Sequence, residues 1–275
     1  FTVTRLTEDR FYLCCAGGAE WHDQQLLSQH LPSDGSVRLE NVTGLYGTLV
    51  IAGPSSRALL ERVTDADLSN AAFPWLSARP IEIGFMAVRA LRVNYVGELG
   101  WELHLPMASM QPVYDRLMAA GADLGVADFG MYALDSLRLE KCYRGWKVDL
   151  VDEYSPLESS LDRFVDLEKG PFPGREALRA QKQTGLEQRL VPLLVKAEGT
   201  DAPVCATVFQ GLDTVGLVTS GGYGYAIGKS IALAYVRIDL TEPGTVLEVD
   251  IFGQRRTATV VAEPIYDPKN SRLRG

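Results

Sequence analysis

The sequence predicts an α+β protein in two parts, a mixed domain over residues 1–186 followed by a small all-β domain over residues 187–275. Strand-like alternation and helix-like periodicity interleave through the first two-thirds, whereas the last third holds six short β-rich runs and no convincing helix. A length of 275 residues, with 46% hydrophobic and 23% charged side chains, is enough for two cores.

Residues 1–6 and 10–16 alternate as strands, with Glu8 and Asp9 turning them into a hairpin. Trp21, Leu26, Leu27 and Leu31 recur at helical spacing over residues 19–31, and Pro32 with Asp34-Gly35 ends that helix. The pattern then repeats: strands at 37–42 and 47–52, then a helix at 54–63 with Pro54 near its first turn. Strand-like runs fill 80–106, broken at Gly84 and again between Gly97 and Gly100. Helices at 110–120 and 127–142 are expected to cover the sheet of this first part. After a polar helix at 174–184, strands at 190–195, 206–209, 214–219, 232–238, 246–251 and 258–262 read as a small barrel or sandwich. The boundary between the parts falls near Leu186.

A net charge of −8 disfavours broad electrostatic binding to nucleic acid and points to a small-molecule partner. No run approaches the ~20 apolar residues of a membrane span, and residues 1–10 are too mixed in charge for a signal peptide, so no membrane partner and a cytoplasmic setting are expected. The four cysteines, Cys14, Cys15, Cys142 and Cys205, form no CxxC pair or His/Cys cluster, which predicts neither metal nor disulfide. Three histidines without a Gly-x-Ser-x-Gly elbow give little support to a Ser/His hydrolase.

Three segments can carry chemistry. Residues 95–102, Tyr-Val-Gly-Glu-Leu-Gly-Trp-Glu, read as a bend with a carboxylate on each side, most simply a turn with solvated acids. If Trp101 to Leu105 form a strand, Trp101, Leu103 and Leu105 share one face and Glu102 and His104 the other, directing Glu102 away from the hydrophobic layer. Residues 135–146 join a helix bearing Arg138, Glu140 and Lys141 to a basic, aromatic exit, and taken alone read as a surface helix. Residues 218–229 are glycine-rich but lack the Gly-x4-Gly-Lys-Ser/Thr order and a following helix, which excludes a nucleoside-triphosphate loop.

Together with Ser155-Pro156-Leu157-Glu158, these segments resemble, in order, the motifs of the aminomethyltransferase (glycine cleavage T-protein) family. Lys141 to Leu150, Phe172 to Leu178 and the tail from Tyr266 to Arg274 are most similar to the carboxy-terminal part of dimethylglycine and sarcosine dehydrogenases. The resemblance implies a mixed domain followed by a small carboxy-terminal β-barrel around a folate pocket. It also implies tetrahydrofolate as the cofactor and a one-carbon transfer forming 5,10-methylene-tetrahydrofolate from a methylated amine or its one-carbon adduct. In it, Glu102 matches the pterin-binding glutamate, Tyr95 packs on or bonds to the ligand, Arg138 matches an arginine of the folate site, and Trp146 stands where relatives carry a pocket tyrosine. The family's catalytic aspartate precedes the segment that begins at Phe1, so no catalytic residue is assigned within this chain; the chain is expected to be a piece whose relatives add a flavin dehydrogenase domain. No Gly-x-Gly-x-x-Gly fingerprint opens the sequence, and no flavin is expected here. For a eukaryotic source the setting becomes the mitochondrial matrix. The alternatives are a folate-dependent demethylase or methyltransferase, and a folate-binding regulator of the iron–sulphur and tRNA-modification type. The regulator's Lys-Gly-Cys-Tyr-x-Gly motif is approached by Lys141-Cys142-Tyr143-Arg144-Gly145, and a reactive Cys142 would favour it.

Overall fold

The computed structural model describes residues 1–275, which form two compact units. One comprises Phe1–Asn94, Glu98–Asp128 and Arg272–Gly275, the other Tyr95–Gly97 and Phe129–Ser271. Packing therefore groups everything after Asp128, except the last four residues, with the barrel, whereas the change of texture in the sequence falls near Leu186.

The first unit opens with the expected hairpin, β1 (Thr2–Arg5) paired antiparallel to β2 (Phe11–Cys14). Helix α1 (Glu20–Gln29) follows but buries none of its residues, and Trp21, expected on its apolar face, is exposed. The strand expected at 37–42 does not form: that stretch finds no partner strand, and Asn41 instead donates to Glu20 and Gln24 on α1. Next come β3 (Tyr46–Ala52), α2 (Ser56–Glu61), β4 (Ala78–Ile83), β5 (Met86–Leu91), β6 (Gly100–Pro106) and α3 (Met110–Gly121). The four strands make an antiparallel sheet in the order β3-β6-β5-β4. One face of β6 presents Trp101, Leu103 and Leu105, all fully buried, in a core shared with Leu59 and Leu60 of α2 and Val113 and Leu117 of α3.

In the second unit, α4 (Met131–Glu140) starts four residues later than the sequence suggests, because Gly130, extended, is its N-cap. It packs on the outside of the barrel, correcting the expectation that it covers the first sheet. After α5 (Arg175–Thr184), strands β7 (Gln188–Val195), β8 (Thr207–Gln210), β9 (Asp213–Gly224), β10 (Lys229–Arg237), β11 (Val246–Ile251) and β12 (Gln254–Val260) close in the order β10-β7-β12-β11-β8-β9. The closure decides for a barrel over a sandwich and leaves no open strand edge. β10 is buried on both faces and its period of two shows why: Ala232, Ala234 and Val236 fill the barrel, while Ile231, Leu233 and Tyr235 pack outward with Leu139 and Cys142 at the end of α4. A four-residue helix, α6 (Ser271–Arg274), ends the chain's secondary structure.

Candidate functional site

In the first unit the polar face of β6 carries Glu102 and His104. The alternation that buries Trp101, Leu103 and Leu105 turns both toward the opposite side, as the sequence predicts. Glu102 lies across from Val50 on β3 and Leu91 on β5, so apolar neighbours flank a carboxylate whose side chain keeps 26% of its surface in solvent. Its Oε2 lies 3.2 Å from His104 Nε2, and its Oε1 meets no donor from the protein. His104 is buried; its Nδ1 lies 3.1 Å from the Thr48 hydroxyl and 3.2 Å from that of Tyr12. Tyr12 reaches the sheet from β2, edge-on to the imidazole, with the Arg89 guanidinium 4.3 Å from its ring centre. Burial pushes the Tyr12 phenol up to about 12, so it stays a hydroxyl. Burial, with the nearby Glu102 carboxylate adding to it, also raises the Cys14 thiol.

The bend before β6 needs both of its glycines. Gly97 has a φ of 76° and a side chain there would strike the Lys141 stem; a side chain at Gly100 would overlap the Ile51 carbonyl where β6 meets β3. Glu98, expected as a solvated turn acid, is instead mostly enclosed: its side chain is 15% exposed, 3.8 Å from Arg272, and lines a cleft with Arg57 and Glu61.

In the second unit the Arg-Leu-Glu sequence at the end of α4 clamps the chain onto β9. The buried Arg138 donates to Asp135 (2.7 Å), the Tyr143 carbonyl (3.1 Å), Asp149 (2.7 Å) and the Ser220 hydroxyl (2.8 Å). Asp149, with no exposed surface, also accepts from the Gly145 backbone and from the hydroxyls of Thr219 and Ser220. Glu140 accepts from the backbone of Ala226 (2.6 Å) and Ile227 (3.0 Å), and Lys141 donates to the carbonyls of Tyr266 and Asp267. Ser155 and Glu158 bond reciprocally, each side chain to the other's backbone N–H, which makes Ser155-Pro156-Leu157-Glu158 a capping-box turn. Tyr95 donates its hydroxyl to the Arg144 carbonyl and stacks on Tyr143, and burial pushes it up to about 12. Trp146 sits in the tight turn closed by bonds from Val148, Asp149 and Leu150 to the Gly145 carbonyl; the residue is 44% exposed, with Lys147 4.7 Å from the ring centre. Cys142 is buried and pushed up to about 12 by desolvation, which leaves it no thiolate character at neutral pH.

The structure thus groups Tyr95, Arg138 and the turn bearing Trp146 within the second unit and sets Glu102 on the sheet of the first. Sequence reasoning assigned no role to His104, although its period-two placement beside Glu102 was visible; Tyr12, Thr48 and Asp149 carried no signal, because their partners lie 56 to 92 residues away for the His104 contacts and 70 to 71 for Thr219 and Ser220 with Asp149.

Comparison with known proteins gives this arrangement its family. The GCVT N-terminal domain matches residues 1–169, and the glycine cleavage T-protein C-terminal barrel domain matches residues 188–267. The chain is 38% identical to mouse mitochondrial dimethylglycine dehydrogenase, over 99% of its own length and 32% of that protein's. It is 37% identical to mouse mitochondrial sarcosine dehydrogenase, over 97% of the chain and 30% of that protein, so it spans less than a third of either. With the aminomethyltransferase of Geobacillus thermodenitrificans it shares 34% identity over 94% of the chain and 70% of that enzyme. In fold it matches the crystal structure of aminomethyltransferase T of the Bartonella henselae glycine cleavage system, with a TM-score of 0.82 and 24% identity over 97% of the chain and 71% of that structure. Two domain matches in sequence order, one across the antiparallel sheet and one across the closed barrel, show that the chain belongs to the glycine cleavage T-protein, or aminomethyltransferase, family.

Proposed function

We propose that this chain binds tetrahydrofolate and serves a one-carbon transfer that forms 5,10-methylene-tetrahydrofolate, as the carboxy-terminal part of an enzyme of the dimethylglycine and sarcosine dehydrogenase type. The observation that carries this reading is Glu102: a carboxylate held on the polar face of a sheet, flanked by Val50 and Leu91, with Oε1 unused by the protein. A reduced pterin offers a ring N–H beside an amino group, and a single carboxylate can accept both in a charge-assisted pair. Glu102 has the capacity for it even while Oε2 meets His104, since each carboxylate oxygen has two lone-pair sites.

Bound tetrahydrofolate supplies the nucleophilic nitrogen that takes up the one-carbon unit. The chain's own residues orient and shield. In the second unit, the residues that the resemblance assigns to the ligand are Trp146, which is part-exposed, and Tyr95, whose hydroxyl is committed to the Arg144 carbonyl. Arg138 holds the Tyr143–Asp149 turn with four of its five N–H donors. The regulator reading, which asked for a reactive Cys142, has its thiol buried and raised in pKa against it.

The test is a tetrahydrofolate titration of the wild type, Glu102→Gln and the exposed control Glu82→Gln. The amide at 102 sets a donor against a ligand N–H and should cost about 2–4 kcal/mol, or roughly 30- to 1000-fold in affinity. The control should change it by less than about threefold. Equal, small effects of both substitutions on a folded chain would place the pterin elsewhere.

A further inference from the structure

We propose that His104 is the positioning residue of Glu102: its Nε2–H anchors one carboxylate oxygen, while Thr48 and Tyr12 fix the plane and tautomer of the imidazole, leaving the second oxygen for the ligand. The inference rests on the reading of Glu102 as the ligand's carboxylate and adds the device that orients it.

A glutamate on a sheet surface has three rotatable bonds, and ordering it on binding reduces affinity unless the protein has ordered it already. Here the ordering group is built in. On the polar face His104 stands in one cross-strand row with Thr48 on β3 and Arg89 on β5, and Tyr12 covers the imidazole edge-on with ring centres 5.4 Å apart. Arg89 in turn lies 4.3 Å from the Tyr12 ring centre. Packed in this way the ring has little freedom, and its only polar contact besides the two hydroxyls is Glu102 at 3.2 Å.

Proton bookkeeping fixes the direction of each bond. A carboxylate can only accept, so Nε2 carries the proton; Nδ1 then accepts from a hydroxyl, and both Thr48 and Tyr12 have one to give. The neutral imidazole satisfies the whole chain from hydroxyl to carboxylate. Neither hydroxyl contacts Glu102 in the structure, so their influence on it passes through His104.

The side chains of glutamine and asparagine separate this role from simple packing. Glutamine can bring an amide N–H to about where Nε2 lies, whereas asparagine reaches only as far as Nδ1. The experiment is calorimetric titration of the 275-residue chain with tetrahydrofolate, alongside thermal melting, for His104→Gln, His104→Asn, Glu102→Gln and the Glu102→Gln/His104→Asn double variant. His104→Asn should weaken binding by roughly tenfold or more, the loss expected for a hydrogen bond to a charged group, and His104→Gln should stay within about threefold of wild type. The double variant should bind no more than about threefold worse than Glu102→Gln alone, because the two groups act as one. If His104→Asn does not fold, Tyr12→Phe/Thr48→Val takes its place, with an expected loss of roughly three- to tenfold at unchanged Glu102.

Wild-type affinity in His104→Asn while Glu102→Gln loses binding would overturn the positioning role and leave the ligand reading intact. Equal losses in His104→Gln and His104→Asn that add fully to Glu102→Gln would also overturn it, marking His104 as a packing residue. No loss in Glu102→Gln would remove the ligand reading itself.

Discussion

Arg138, matched by resemblance to an arginine of the folate site, spends four of its five N–H donors on its own protein. Its guanidinium and the Asp149 carboxylate are both buried, and Asp149 draws three further donors, from Gly145, Thr219 and Ser220. Deleting one partner of such a pair leaves a charge stranded in low dielectric, which typically costs about 3–5 kcal/mol. Arg138→Ala should therefore lower the stability of the second unit by that amount in chemical denaturation, and Arg138→Lys, which keeps charge without the fork, by less. A large loss of tetrahydrofolate affinity with no loss of stability would instead put the guanidinium on the ligand. Glu102 stands at the other extreme, with one carboxylate oxygen left over by its neighbours, and it is there that a substitution should read out in binding.

At the scale of elements, the contact between α4 and β9 explains why the glycine run belongs where it is. A side chain at Gly221 would overlap the Ala202 carbonyl, and one at Gly222 would come within 3.1 Å of Leu139. One at Gly224 would meet Ile231 at 2.8 Å and Glu140 at 2.9 Å. Gly222 and Gly224 are the flat side of a helix–barrel contact, while Gly221 faces Ala202 in the loop before β8. Gly221→Ala should destabilise the chain by roughly 1–3 kcal/mol, since backbone must move to admit the methyl group. Gly44→Ala, which faces open space, should stay within about 0.5 kcal/mol. Thermal melts of the pair test the assignment, and equal melting temperatures would contradict it. The β5–β6 connection is shaped in the same way, by Gly97 with its positive φ and Gly100 against the β3 backbone.

For the whole molecule, burial holds several acids in their neutral form. Cys142, Tyr95 and Tyr235 in the second unit and Tyr12 in the first are each pushed up to about 12, with desolvation the leading cause in all four. Because the folded pKa values are raised, the folded chain keeps protons that the unfolded chain releases. The stability from these groups is complete below about 9, the ordinary value of the thiol, and is lost as pH climbs toward 12. The denaturation midpoint should thus fall between pH 8 and pH 10.5, and Cys142→Ala should flatten the first part of that fall while the tyrosines, which start from 10, retain the rest. A midpoint unchanged over this range would contradict the burial argument. No helix is long and apolar enough to cross a membrane, and no group of three or more metal-ligating side chains comes together.

The sequence by itself determined what depends on neighbours along the chain. The opening hairpin, the six barrel strands, and the division of β6 into Trp101, Leu103 and Leu105 against Glu102 and His104 follow from a period of two. Motif order was equally local, and it carried the family. Tertiary structure decided everything that needed a distant partner. Residues 37–42 have strand composition but find no edge to pair with, and α4 is periodic but only packing assigns it to the barrel. Closure of β8, β9 and β10 turned six strands into a barrel, a choice that alternation leaves open. At the site, sequence marked Glu102 beside a glycine-bearing bend and Arg138 on a helix with a basic, aromatic exit; structure surrounded Arg138 with acceptors and gave Glu102 a histidine on one oxygen only. A periodic pattern states which face a side chain occupies, and only the fold states which donors and acceptors meet it there.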